Sequence, residues 1–172
     1  MSTMVALAEV NTMSRVEFVA ALGPLFECSP WIADATWAAR PFGSIDQLHQ
    51  ALCTAMYAAP SERQLALIQA HPDLAGKAAI AGELTAESAR EQSSAGLSRL
   101  TAEEFATFIR LNQAYRDRFG FPFVICAREH SASSILGYFA TRLEHRRDHE
   151  IAIALGEIAK IARLRLLDAV QE

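Results

Sequence analysis

Four times along the chain a Ser or Thr is followed three residues later by Glu or Gln at the head of an apolar run. The four are "SRVE" at Ser14, "SIDQ" at Ser44, "SERQ" at Ser61 and "TAEE" at Thr101. This is the capping-box pattern, in which side chains satisfy the first amides of a helix. Behind these starts the apolar residues recur at spacings of three and four, as in Ile45, Leu48 and Leu52, or Phe105, Phe108 and Leu111. Ser29 before Pro30 adds a fifth start, since proline is tolerated in a first helical turn. Further helices are predicted from Thr85 to about Ser93, from Ser133 to Arg146 and from Asp148 to Ala169. No useful stretch alternates with period two. The expected fold is therefore all-α: one compact domain of about eight helices over residues 14–172, preceded by a flexible N-terminus, residues 1–13.

One segment departs from the helical pattern. In "FGFPFVICARE", Phe119 to Glu129, Gly120 is a good helix terminator and Pro122 forbids an immediate return to helix, yet the next residues are strongly apolar. An extended piece through the interior is expected, and its buried N–H and C=O groups need partners. Helix ends and side chains can supply them, or a bound ligand can.

Bulk properties exclude several classes. At 172 residues, 51% hydrophobic and 21% charged, the chain can bury a core and is not disordered. A formal net charge of -4, with no basic stripe, argues against nucleic acid as a partner. No run of about 18 apolar residues suggests a membrane span. The start "MSTMVALAEVNTM" lacks the pattern of a signal peptide, so a cytoplasmic location is expected. Cys28, Cys53 and Cys126 have no metal-binding spacing and read as reduced, mostly buried thiols.

Several side chains carry possible chemistry. In "IQAHPDLAGK" the helix bearing Leu65 and Ile68 must stop near Ala70, because the residue before a proline is driven out of the α region. His71 is then the first residue off the helix, beside the negative end of its dipole; it is either a helix-terminal cap or a proton carrier. In "ESAREQSSAGL", Ser88, Glu91 and Gln92 share one helical face, a hydrogen-bonding comb or simply a solvated one. On the last helix Arg165 continues the stripe of Ile151, Leu155, Ile158 and Ala162, so it must snorkel or pair with an anion. Arg163 lies off that stripe. His145 and His149 have metal-like spacing but lack the glutamate of HExxH, and Asp148 reads as an N-cap between them; no metal is expected.

The order of three motifs is more specific than any one of them. "HPDLAGK" at 71–77, "SAREQSSAGL" at 88–97 and "FGFPFVICAR" at 119–128, with a last helix ending "IARLRLLDAV", resemble the 2-oxo-4-hydroxy-4-carboxy-5-ureidoimidazoline (OHCU) decarboxylases of uric acid degradation. The likeness runs from about Ser14 to the C-terminus. It implies an all-α homodimer without a cofactor that takes a small anionic ureido-imidazoline and gives (S)-allantoin and CO2. By the same resemblance His71 is the catalytic histidine and Glu91 its partner carboxylate. Pro72, Ser88 and Gln92 line or hold the substrate, together with the main chain of Phe123, Val124, Ile125, Cys126 and Ala127. The family's C-terminal arginine aligns with Arg165, and Arg163 is the competing alignment. Two other readings fit the residues: a non-catalytic helical interaction module, with "FPFVI" as its interface, and another ureide lyase or hydrolase using the same His–Glu pair.

Overall fold

The structure, a computed structural model, describes residues 4–172. In chain order the regular elements are β1 (Val5–Ala6), α1 (Leu7–Thr12), α2 (Arg15–Leu22), α3 (Trp31–Thr36), α4 (Ile45–Ala58), α5 (Ser61–Gln69), α6 (Lys77–Ala81), α7 (Ala86–Ser94), α8 (Ala102–Phe119), α9 (Ala132–Leu143), α10 (Arg147–Ala169) and β2 (Val170–Gln171). The protein is thus predominantly α-helical. The two short strands pair in parallel, Val5 with Val170 and Ala6 with Gln171. No helix among the described residues is long and apolar enough to cross a membrane.

The caps explain where helices begin. Ser14 and Thr101 form complete capping boxes with Glu17 and Glu104. Ser44 accepts the Gln47 N–H, but Gln47 Oε1 reaches one residue further back, to the Gly43 N–H at 2.7 Å. Ser61 is the first residue of its helix rather than its cap: Pro60 O accepts the first amides, from Arg63 and Gln64. Asp148 likewise lies inside the first turn of α10, where Arg146 O takes the Glu150 N–H. Helices α1, α3 and α6, of six, six and five residues, lack the side-chain caps that Ser14, Ser44, Thr85, Thr101 and Ser131 give to α2, α4, α7, α8 and α9. Of the expected flexible N-terminus, residues 1–3 lie outside the described residues and residues 5–12 form β1 and α1, with Val10 fully buried and the Asn11 amide bonded to both N–H and C=O of Phe42. Of the three cysteines only Cys126 is buried; Cys28 is exposed and Cys53 lies between.

The chain forms two compact units. One runs to Leu67 and takes up again at Ala159–Glu172; the other is Ile68–Ile158. In the first, α2, α3 and α4 pack together over Phe18, Leu22, Ile32, Leu48 and Leu52. The second is centred on aromatic rings, with α8 against α9: Tyr115 meets Phe119, Phe121 and Phe123 at centroid distances of 4.6, 5.9 and 5.3 Å, and Phe123 stacks on Phe139 at 3.9 Å. Gly120, left-handed at φ 80°, ends α8, and residues 122–126 then run without regular structure. Every residue from Phe121 to Ala127 is buried. The expected extended interior segment is therefore present, and its apolar side chains face a core rather than an open surface.

Candidate active site

Helix α5 ends at Gln69, and His71 follows as the second residue off it, with its N–H donating to Ile68 O at 3.2 Å. The residue is 6% exposed, which is low for a connecting loop. Pro72 and the turn behind it set the direction of the chain. That turn is held from several sides. Gln92 Nε2 donates to Asp73 O at 3.2 Å and Gln92 Oε1 accepts the Ala75 N–H at 3.0 Å. Asn112 Nδ2 donates to Leu74 O at 2.8 Å, and Arg116 Nε to Asp73 Oδ1 at 2.8 Å. This restraint accompanies an unfavourable backbone, since Ala75 is left-handed at φ 51°. A Cβ on Gly76 would lie 2.8 Å from Asp73 Cβ, so only glycine fits there.

Helix α7 begins at Thr85, whose hydroxyl caps it by accepting the Ser88 N–H at 3.2 Å. Ser88 and Gln92 are buried on its inner face, Glu91 is half-buried beside them, and Arg90 is exposed. The face that Ser88, Glu91 and Gln92 share is therefore turned inward rather than fully solvated. The same helix packs against the 3-10 turn Ala127–Glu129, which ends the extended segment. Three elements carrying His71, Ser88–Glu91–Gln92 and residues 123–127 are thus assembled in the second unit. Both ends of the Gln92 amide face the 73–75 backbone.

The extended segment has two side-chain anchors. Arg142 Nη1 donates to Val124 O at 2.6 Å, and Glu157 Oε2 accepts the Cys126 N–H at 2.8 Å. Arg142 itself is buried, with its guanidinium 4.2 Å from the Phe123 ring centroid, and it donates to Glu150 from Nε at 2.9 Å. Tyr115 Oη also donates to Glu150, and His145 Nδ1 lies 2.7 Å from Glu150 Oε1. Burial opposes the charged form of Glu150. The hydrogen bonds from Arg142, Tyr115 and His145, with the charge of Arg142, outweigh it and hold the carboxyl below its ordinary range. The Tyr115 hydroxyl is pushed up, chiefly by burial. His145 thus turns Nδ1 to a carboxylate, while its ring lies against His149 with centroids 4.6 Å apart.

Arg165 belongs to the first unit. It is buried, and its Nη2 donates to the equally buried Glu27 at 2.9 Å, with Pro24 O 3.4 Å from Nη1. Of the two outcomes expected for an arginine on an apolar stripe, pairing with an anion is the one observed. Arg163 forms a surface ion pair with Asp46.

Sequence reasoning missed Asn112, Tyr115, Arg142 and Glu157. A signal was present for three of them. The buried stripe of α8 reads Phe108, Asn112, Tyr115 and Phe119, rotated from the expected Phe105–Phe108–Leu111 line; that of α9 reads Ile135, Phe139 and Arg142. A polar or charged residue on an apolar stripe is the feature that singled out Arg165, and it applies equally to Asn112 and Arg142.

Comparison with known proteins gives the class, a decarboxylating enzyme, and the family. The OHCU decarboxylase family profile matches residues 11–167, and the chain belongs to that family. A 2-oxo-4-hydroxy-4-carboxy-5-ureidoimidazoline decarboxylase of Halalkalicoccus jeotgali is 42% identical over 95% of this chain and 91% of its own length. A crystal structure of (S)-allantoin synthase superposes with a TM-score of 0.75 at 28% identity, covering 96% of this chain and 54% of that one. An OHCU decarboxylase crystallised in the presence of (S)-allantoin shares the fold, with a TM-score of 0.70 at 22% identity over 91% of this chain and 97% of that one.

Proposed function

We propose that this chain decarboxylates 2-oxo-4-hydroxy-4-carboxy-5-ureidoimidazoline to (S)-allantoin and CO2 in uric acid degradation. The observation that carries the reading is the pair of hydrogen bonds between Gln92 and the backbone, donated to Asp73 O and accepted from the Ala75 N–H. They tie the helix bearing Glu91 to the turn that follows His71.

The substrate's carboxylate sits on a carbon next to a C=N bond. When the C–C bond breaks, its electron pair enters the imine π system, so a metal or other electron sink is not required and the reaction is assigned as cofactor-independent. The protein must fix the ring so that the breaking bond stands perpendicular to the imine plane, and must manage one proton. His71 is the general acid–base group, since an imidazole exchanges protons near neutral pH. Glu91 orients it and stabilises its charged form. Ser88, Pro72 and the main chain from Phe123 to Ala127 hold the planar ring. Gln92 serves the site through the turn it clamps, with its remaining amide hydrogen available to substrate. Arg165 is assigned to the substrate's anionic oxygen, as the family pattern implies. Protonation from one face gives one enantiomer.

The resemblance implies a homodimer, and we extend the sequence reading to residues 14–172 acting as one catalytic domain in the cytoplasm. The deciding experiment generates the labile substrate in situ from uric acid and follows allantoin circular dichroism. Added protein should speed the reaction and create optical activity. His71→Asn should lower kcat by about two to four orders of magnitude, the usual range for a general acid–base group. Racemic product at the uncatalysed rate with wild-type protein would refute the proposal.

A further inference from the structure

The extended segment is held at two consecutive peptide groups. Val124 C=O and Ile125 N–H belong to one, and Arg142 grips its oxygen at 2.6 Å. Ile125 C=O and Cys126 N–H belong to the next, and Glu157 grips its N–H at 2.8 Å. Both peptides are trans, so carbonyl and N–H of each point opposite ways. Fixing the first peptide by its oxygen therefore aims the Ile125 N–H away from Arg142. Fixing the second by its N–H aims the Ile125 C=O away from Glu157. Among the described residues neither of these two Ile125 groups has a hydrogen-bond partner, although Ile125 is only 6% exposed. Buried backbone groups are almost always paired, so an unpaired donor and acceptor on one residue point to a ligand or bound solvent.

The anchors also act electronically. A cation on one end of a peptide polarises its N–H into a better donor, and a carboxylate on the other peptide makes its C=O a better acceptor. The buried cluster behind Arg142 is an inefficient source of stability, because desolvation offsets most of what a buried ion pair gains. Its specific result here is the direction of one carbonyl. We propose that Arg142 and Glu157 are positioning residues. They present the N–H and C=O of Ile125 as a paired donor and acceptor for the –NH–C=O edge of a planar ureide. The inference rests on the decarboxylase reading and deepens it.

The test compares Glu157→Ala, Glu157→Gln and Arg142→Lys with the wild type, measuring (S)-allantoin affinity by calorimetry, steady-state kcat and KM, and Tm. Gln keeps an acceptor for the Cys126 N–H, and Lys keeps a positive charge beside Glu150 while losing the fork that reaches Val124. Glu157→Ala and Arg142→Lys should each weaken allantoin binding and kcat/KM about tenfold, the scale of one well-placed hydrogen bond, with KM carrying most of the change. Glu157→Gln should stay within about threefold of wild type on the same scale. Lowered Tm in Glu157→Ala and Arg142→Lys with unchanged allantoin affinity, measured well below Tm, would overturn the inference and leave the two residues purely structural. Failure of the wild type to turn over substrate would remove the decarboxylase reading, and this inference with it.

Discussion

Replacing Gln92 by Leu tests whether the turn behind His71 depends on a helix of the candidate site. Leu nearly conserves volume but removes both polar ends of the side chain. The Ala75 N–H loses its acceptor at 3.0 Å, and Ala75 is 3% exposed, so water cannot readily take over. The Asp73 C=O loses its donor at 3.2 Å in a half-buried setting, where solvent recovers part of the loss. A buried backbone group left unsatisfied costs about 1–3 kcal/mol, so the pair sums to roughly 2–4 kcal/mol before the greater hydrophobicity of Leu returns up to ~1 kcal/mol. For a chain of this length about 1 kcal/mol corresponds to ~2–4 °C in Tm, so a net loss of about 1–3 kcal/mol gives a fall of roughly 2–12 °C in a thermal scan. Because Ala75 is already left-handed, the released turn should relax and carry His71 with it. The kinetic effect should then fall on kcat as well as KM. Gln92→Glu, which keeps an acceptor for Ala75 but turns a carboxylate towards the Asp73 carbonyl, should lie between. An unchanged Tm with a raised KM would refute the clamp and make Gln92 a substrate contact alone.

Other expectations follow from the same geometry. Gly76→Ala should destabilise by about 1–3 kcal/mol, the usual cost of overpacking, because its Cβ would lie 2.8 Å from Asp73 Cβ; a neutral result in urea melts would count against this packing. Arg165→Met removes the guanidinium 2.9 Å from buried Glu27 and should cost roughly 3–5 kcal/mol. Glu27→Gln combined with Arg165→Met should recover much of that loss, and strict additivity of the two would show that the pair is not coupled. Glu150 has a depressed folded-state pKa, so the stability it contributes is present above its unfolded value and is lost as pH falls through the folded value. The Tm gap between wild type and Glu150→Gln should accordingly be largest at neutral pH and narrow below the ordinary carboxylate range. A gap that stays constant down to pH ~3 would contradict the linkage.

How much was legible before any coordinates depends on whether a feature is local. The complete boxes at Ser14 and Thr101, the end of α5 before Pro72 and the terminator Gly120 involve only neighbours in the chain, and they could be read directly. Caps failed where a competing partner lay one residue away, as with Gln47 reaching Gly43 instead of Ser44. The same limit applies to side chains. Residues at three- and four-residue spacing identify a buried stripe, and with it Arg165; on α7 they grouped Ser88, Glu91 and Gln92 on one face but did not give its direction. They cannot say which partner a buried charge finds.

The motifs and their order carried the all-α class and the family, because periodicity and turn chemistry are properties of short segments. Only the tertiary structure decided that Arg165 meets Glu27, that Gln92 holds the turn behind His71, and that Arg142 and Glu157 grip adjacent peptide groups. Those pairs lie 17 to 138 positions apart along the chain. Their choice depends on which desolvated donor finds which acceptor once the core has closed, and no local pattern encodes that.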